Sequence, residues 1–282
     1  MKKSISIWSF PSEWTLEKKM KLARDAGFEG FEPDLTEKGD LAFDGSPDSW
    51  ARVRELAEKV GLQLSGLATG LYWGANGASA DEATRSKALQ ILQAQMDCAG
   101  VLGIDSILVI PGSVGVDFIP DGEVVPYGDA YHRASNLIRE VLTEAQSRGV
   151  TIAVENVWNK FLLSPIEMCG FIDQFESEKV GSYFDVGNAL ATGYPEHWIS
   201  LLGERISRVH AKDYRRAAGG LHGFVDLLSG DVNWPAVMQE LKAIGYNGWI
   251  TAEMIPPVPF YRYSPETLIH NTSRAMDSIL EM

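Results

Sequence analysis

Four ionisable residues in the second half of the chain come directly after short apolar segments rich in β-branched residues. They are Glu155, Asp185, His210 and Glu253. Such segments favour strands buried on both faces, so each charged residue is expected at the carboxyl end of a strand. Three carboxylates that lie close together repel each other unless a cation sits among them or one stays protonated. Three oxygen ligands and one imidazole suit a divalent ion such as manganese, magnesium or cobalt, and zinc also fits.

The elements that must position these residues alternate regularly along the chain. Short apolar runs are followed by longer amphipathic runs, and Gly27 and Gly61 are typical helix ends. Ser164 and Pro165 are typical of a helix start. Strands are predicted at residues 4–9, 28–35, 62–69, 106–110, 151–157, 180–185, 206–210 and 249–254. Helices are predicted at residues 15–26, 49–60, 80–102, 129–148, from 164 onward, 195–202, 233–244 and 265–280.

This alternation predicts a parallel sheet covered by helices. The chain contains eight strand–helix units without a linker, and its length is typical of a (β/α)8 barrel. The predicted fold class is therefore α/β, with a single TIM barrel domain over residues 1–282. A doubly wound open sheet is the alternative, but no Gly-x-Gly-x-x-Gly turn follows the first strand and eight units would make a very wide sheet. In a barrel the fifth to eighth strands are neighbours, so the four charged ends converge. If only one of these four residues were present, it would be explained as a structural strand end that pairs with a helix N-terminus or with a nearby lysine.

Composition limits the classes of function. Of 282 residues, 25 are Lys or Arg and 38 are Asp or Glu, so the formal net charge is −13. This balance argues against a nucleic-acid partner, which needs clustered cations. Neither a signal-peptide apolar region nor a run of ~18 apolar residues is present, which predicts a cytoplasmic protein without a membrane partner. Cys98 and Cys169 are too few for a disulfide framework and are expected to be buried small hydrophobes.

The motifs around the four residues resemble the xylose isomerase-like barrel superfamily of sugar isomerases and epimerases, which also includes endonuclease IV. The resemblance covers nearly the whole chain and is most specific at residues 154–156, 184–188, 209–213 and 251–254. In the ketose 3-epimerase branch it implies one divalent metal ion, manganese first, held by Glu155, Asp185, His210 and Glu253. It also implies that Glu155 and Glu253 carry protons. An endonuclease IV site needs several more histidines, and among five in this chain only His210 closes a strand.

The expected reaction is proton transfer next to the ketone of a sugar or sugar phosphate, through an enediolate. Epimerisation needs a base on one face of the carbon and an acid on the other, and two carboxylates supply both. An aldose–ketose isomerase needs a single proton carrier, so the pair favours an epimerase, although metal binding alone also explains both glutamates. A dehydratase of inosose or 3-dehydroshikimate type is an alternative, as is a sugar-binding protein without turnover. Barrels of this type often self-associate, so a homodimer or homotetramer is a further expectation.

Polar substrate contacts are expected from the loops after the strands. Asn188 stands where many relatives have a substrate-contacting histidine, and Arg216 fits an arginine that contacts substrate in related epimerases. Lys160 follows the fifth strand, and Arg and Lys near the site could hold a phosphate. Residues 228–234 resemble a glycine-rich family loop, but Ser229 and Asp231 interrupt it and put a phosphate-binding role in doubt. Solvated loop charges explain the cations equally well.

Further contacts are expected from Glu32 and from aromatic residues at strand ends. Glu32 ends the second strand and is explained equally well as a salt-bridged strand end. Aromatic faces commonly stack on sugars, and core packing is the alternative. The aromatic candidates are Trp8, Tyr72, Trp73 and Trp158. Three glycines in residues 70–77 suggest that this segment moves as a lid.

Overall fold

The computed structural model describes residues 1–254 and 261–282. Eight parallel strands form one sheet, in which strands that follow each other in sequence pair, the first strand also pairs with the eighth, and the third and fourth lie at the two edges. A parallel bridge between Leu67 and Ile107 joins the two edges of this sheet and closes the barrel. The strands are β1 (Lys2–Ser6), β2 (Gly30–Glu32), β3 (Gln63–Leu64), β4 (Ser106–Val109), β5 (Thr151–Glu155), β6 (Val180–Asp185), β7 (Ile206–Ala211) and β8 (Trp249–Ala252). The predicted barrel is therefore confirmed.

The helices form an outer layer around these strands, and α9 packs against α1 so that the layer closes. They are α1 (Leu16–Ala26), α2 (Pro47–Val60), α3 (Glu82–Leu102), α4 (Tyr127–Arg148), α5 (Pro165–Asp173), α6 (Val186–Leu190), α7 (Pro195–Leu202), α8 (Trp234–Ala243) and α9 (Pro265–Glu281). Within the described ranges, no helix combines the length and apolar character needed to cross a bilayer.

Local sequence explains where these helices begin and end. Gly27 and Gly61 end α1 and α2 in the left-handed conformation, with φ of 98° and 86°, as the pattern predicted. The Ser164 side chain accepts a hydrogen bond from the Glu167 main chain at the start of α5, which is the predicted capping arrangement. The capping residues therefore set the lengths of the outer elements.

The third predicted strand, residues 62–69, is interrupted. Its first part is β3, and its second part, Ala68–Thr69, pairs with Asp34–Leu35 beyond the barrel end. Gly66 lies at the interruption, where an added Cβ would collide with the hydroxyl of Tyr183. The missing side chain thus leaves room for Tyr183 to cross the barrel interior.

The two cysteines differ in burial. Cys98 is fully buried in α3, and burial raises the pKa of its thiol to about 12. Cys169 is only half-buried, and its thiol donates to the carbonyl of Leu201 on the outer helix layer. The expectation of a buried hydrophobe therefore holds for Cys98 and is wrong for Cys169, because α5 lies at the surface of the barrel.

Candidate active site

The four charged strand ends lie together at the carboxyl end of the barrel. Each contributes one potential ligand atom, and these atoms all lie within 4.8 Å of one another and are buried. Glu155 and Asp185 are the last residues of β5 and β6, His210 on β7 is paired with Asp185, and Glu253 follows directly after β8. The parallel register of neighbouring strands therefore brings residues from four distant sequence positions to one point.

The imidazole of His210 is oriented by a buried carboxylate behind it. Its Nε2 lies 2.9 and 2.8 Å from the two carboxylate oxygens of Glu32, and the hydroxyl of Tyr183 also donates to Glu32. An ionised carboxylate only accepts hydrogen bonds, so the proton is assigned to Nε2. His210 Nδ1 then faces the other three residues, at 2.6 Å from Glu253 Oε2. Such a carboxylate partner fixes the ring of a metal-binding histidine.

Lys212 is a fifth member of the cluster and was not predicted as a site residue. Its Nζ lies 2.8 Å from Asp185 Oδ2, 2.9 Å from Glu253 Oε2 and 4.0 Å from Glu155 Oε1. Its side chain is only 4% exposed, so this cation is enclosed with the carboxylates. The positive charge therefore offsets part of the repulsion among three buried acids.

The sequence contained a signal for Lys212. Side chains alternate along a strand, so a residue two positions after His210 is expected on the same side of the chain. Gly187 provides the space, since an added Cβ there would lie 2.6 Å from the Cβ of Lys212. The glycine in the 184–188 motif thus has a packing reason that depends on Lys212.

Three of the potential metal-ligand atoms in the cluster have no hydrogen-bond partner among the described residues. Among the described residues, Asp185 Oδ2, His210 Nδ1 and Glu253 Oε2 are buried without a hydrogen-bond partner of suitable geometry. Lys212 and the imidazole approach these atoms closely, but not at hydrogen-bonding angles. Unsatisfied buried polar atoms are costly and need an explanation. Carboxylate oxygens and one imidazole nitrogen directed at one point fit a divalent cation, whose two charges with Lys212 would balance three carboxylates.

The carboxylates have different proton affinities. Burial, together with the charges of Glu253 and Asp185, raises the pKa of Glu155 to about 7 despite His210 and Lys212. Burial would also raise the pKa of Glu253, but the close positive charges of Lys212 and His210 outweigh it and lower the pKa to about 2. For Asp185, burial raises the pKa although Lys212 opposes it. The two glutamates of this pocket therefore differ in pKa because their charged neighbours differ.

The charge on His210 depends on the same surroundings. Burial alone would lower the pKa of the imidazole, but the carboxylates of Glu32 and Glu253 raise it well above its ordinary value. Without a metal ion the ring therefore holds a second proton more tightly than a free imidazole does. Because a metal ligand must offer a lone pair, a cation that binds Nδ1 displaces a proton.

Asparagines complete the floor of the site. Asn156 exchanges two hydrogen bonds with the main chain of Asp185, at 2.8 and 2.7 Å, and so holds the ends of β5 and β6 together. The main chain of Asn188 donates to Asp185 Oδ1 at 2.7 Å. The side-chain nitrogen of Asn188 is buried without a partner in the described part and lies at the cavity wall. The sequence-based expectation of a substrate contact for Asn188 therefore remains a prediction with a suitable geometry.

A cavity of about 1340 Å³ opens above the cluster. Glu155, Lys212 and Glu253 lie at its floor, while Asp185 and His210 lie beneath it. Three of the four predicted aromatic contacts line this cavity: Trp8, Trp73 and Trp158. The Trp158 indole is held by a hydrogen bond to the carbonyl of Asn188 and stacks on Phe224.

Four other predicted contact residues do not line this cavity. Tyr72 is buried and donates to Gln95 on α3, because successive side chains of its short helical turn point in different directions. Arg216 donates to the carbonyls of Leu190 and Gly193. The remaining two are Lys160, which pairs with Asp117, and Glu32, which lies behind His210. Each of these side chains contacts a partner distant in sequence and does not reach the cavity, and its role as a substrate contact stays a prediction.

The barrel and its cluster of carboxylates and a histidine define the class of protein. A family model for the xylose isomerase-like TIM barrel matches residues 20–277. The chain therefore belongs to the xylose isomerase-like TIM barrel family.

Individual relatives agree with this assignment. A putative L-ribulose-5-phosphate 3-epimerase of Haemophilus influenzae is 25% identical over 255 residues, which are 87% of this chain and 86% of that protein. A structure of D-psicose 3-epimerase in the presence of D-fructose has a TM-score of 0.82 at 16% identity and covers 100% of both chains. A structure of the IOLI protein with a bound zinc atom has a TM-score of 0.77 at 17% identity and covers 100% of this chain and 98% of that one. Structural likeness at these identities supports the shared fold alone.

Proposed function

We propose that the protein is a divalent-metal-dependent epimerase that moves a proton at the carbon next to the ketone of a sugar. The observation that carries this proposal is the set of four buried ligand atoms within 4.8 Å at the floor of an aromatic-lined cavity. The epimerase names of the Haemophilus influenzae relative and of the D-psicose structure support the same class of reaction.

The metal would be held by Glu155, Asp185, His210 and Glu253. When bound, the cation polarises a substrate carbonyl and stabilises the negative charge that develops on its oxygen. Manganese is the first candidate because oxygen ligands dominate the set, and zinc is the second because of the imidazole and the zinc-bound neighbour. Proton loss from His210 on binding makes metal affinity increase with pH.

The residues of the chain divide the remaining work. Glu155 and Glu253 come from β5 and β8 and both reach the cavity floor, so one can remove a proton from carbon and the other can return one. Lys212 and the free amide nitrogen of Asn188 can donate hydrogen bonds to sugar oxygens at the same floor. Trp158 provides an apolar wall that favours the C–H face of a sugar and excludes water.

The proposal is tested by proton exchange. Metal-loaded protein is incubated with a panel of ketoses, ketose phosphates, inosose and 3-dehydroshikimate in heavy water, and carbon-bound exchange is followed by NMR. Deuterium next to the ketone together with an epimeric product is the expected result. An unsaturated product would instead assign a dehydratase, and binding of a ketose without any exchange would overturn the proposal.

A further inference from the structure

The cavity is larger than a simple ketose requires. Its volume of about 1340 Å³ exceeds the ~300–1,000 Å³ that encloses a drug-sized ligand. A hexose chelated at the floor would contact Glu155, Glu253 and Lys212, and would not fill the outer part of the space that the described residues enclose. That outer part is therefore available to a second portion of the substrate.

The mouth of the cavity is lined by apolar side chains that remain exposed. Trp73 and Phe118 form an edge-to-face pair with ring centroids 5.1 Å apart. Phe118, Leu221 and Tyr263 also line the cavity and are 39%, 43% and 91% exposed. Large apolar side chains gathered at one rim mark a binding groove more often than a solvated surface. Because this rim is continuous with the catalytic floor, its occupant belongs to the same ligand.

The structure offers little support for a phosphate in this position. Arg216 and Lys160, the cations that the sequence suggested, lie outside the cavity lining and are engaged elsewhere. The loop that resembles a phosphate-binding segment folds around an acid of this chain. Its main-chain N–H groups at Leu228 and Val232 donate to Asp213 at 2.9 and 3.2 Å.

The charge balance of the cavity points the same way. Nine ionisable residues are found among its described lining, four cationic and five acidic, which gives a net formal charge of −1. The cation nearest the floor, Lys212, is occupied by carboxylates. Lys19 is buried and shares the lining with the carboxylate of Asp34, which has the opposite charge. When the two charges of the proposed metal ion and the carboxylate of Asp185 beneath the floor are included, the formal charge is zero. A phosphate dianion would therefore meet no surplus of positive charge.

We infer that the substrate is a non-phosphorylated keto-sugar that carries an apolar group of aromatic size, with the sugar at the floor and the apolar group against Trp73 and Phe118 at the mouth. This inference rests on the proposed epimerase function. It specifies a ligand class that sugar epimerisation alone does not require.

The test uses matched substrates that differ in one substituent. Ketohexoses active in proton exchange are supplied as the free sugar, the 6-phosphate, and the 1-O- and 6-O-benzyl ethers, and kcat/KM is measured for each. A benzyl ether is expected to exceed the free sugar by about tenfold or more, since a benzyl group buries about as much surface as a phenylalanine side chain. The 6-phosphate is expected to fall below the free sugar. Preference for the phosphate, or equal rates for benzyl ether and free sugar, would overturn the inference.

A variant and a binding measurement separate this inference from the proposed function. Phe118→Ala is expected to reduce the ratio of benzyl-ether to free-sugar kcat/KM about fivefold, while Ile166→Ser, an exposed position outside the cavity, leaves the ratio unchanged. Binding of the same ligands to Glu253→Gln by calorimetry does not depend on turnover. Exchange without a benzyl preference would overturn the inference alone. Tighter benzyl-ether binding without exchange would overturn the epimerase proposal and retain the ligand class.

Discussion

The two halves of the barrel contribute differently to the site. In the second half, β5 to β8 each lead into an ionisable residue that joins the central cluster. Among the described strands of the first half, only β2 ends in a charge, and its Glu32 lies behind His210 and not at the cavity. The loops of the first half instead supply aromatic walls such as Trp8 and Trp73. The second half therefore supplies the reactive groups together with part of the wall, such as Trp158, while the first half supplies wall residues only.

The two halves also differ in the expected cost of substituting their residues. The charges of the second half are buried and mutually dependent, so removing one leaves its partners without compensation. The wall residues make many weak contacts, and truncating one of them removes only a small part of substrate binding. Substitutions in the two halves should therefore differ in size by orders of magnitude.

The largest expected effect concerns the proton carriers. Glu155→Gln and Glu253→Gln each replace a carboxylate by an amide of the same shape, and proton exchange should fall about 10²–10⁴-fold because a positioned acid–base group is lost. The rate is measured by deuterium incorporation at saturating manganese, with metal content determined in parallel. Glu13→Gln removes an exposed carboxylate from the first-half wall and should change the rate less than threefold. Equal losses at Glu13 and Glu253 would contradict the division between the halves.

The second largest expected effect concerns metal binding. His210→Ala removes the nitrogen ligand and should lower bound divalent metal to about one-tenth or less of the wild-type stoichiometry. Elemental analysis after dialysis measures the content. Manganese at ~100 times its Kd should stabilise the wild type by about 2.7 kcal/mol, and this gain should disappear in the variant. His222→Ala alters an exposed histidine outside the cluster and serves as the control; retention of full metal content by His210→Ala would refute the assigned site.

The sequence predicted the parts of this molecule that depend on regular periodicity. Strand and helix alternation gave the barrel, and barrel order then brought Glu155 next to Glu253 although 98 positions separate them. Loop side chains were placed less well, because their conformations depend on partners that no local pattern reveals. Tyr72 is taken by Gln95, and Arg216 by the carbonyl of Leu190.

The position of Lys212 could be predicted only in part from the sequence. It follows His210 by two residues, so strand alternation could have placed it on the same side of the chain. Its role depends on Gly187, whose missing side chain lets the start of α6 approach Lys212 closely. Such a close approach between distant segments is a property of packing and becomes visible only in three dimensions.

A Lys212→Met substitution tests how far the second half depends on its own cation. Without metal, the variant leaves three buried carboxylates with less compensation, and the free energy of unfolding should fall by about 3 kcal/mol. With manganese bound, the loss should be smaller because the ion supplies positive charge. Calorimetry in chelator and in manganese measures both values. Lys160→Met removes an exposed ion pair and should change the free energy of unfolding little in either condition. If Lys212→Met lost the same free energy of unfolding in chelator and in manganese, the lysine would not substitute for the ion.

The smallest of these effects concerns Glu32, the charged strand end of the first half. Glu32→Gln keeps an oxygen that can accept from His210 Nε2, but loses the charge that favours the correct tautomer. Metal affinity should fall about 10–100-fold, as is usual when the partner behind a ligating histidine is altered. The rate at saturating manganese should largely recover, because Glu32 does not line the cavity. Titration with manganese separates these two quantities, with the exposed Glu37→Gln as a control of equal charge change. A lower rate at saturation with unchanged metal affinity would place Glu32 in the proton-transfer step, and the first half would then share the chemistry.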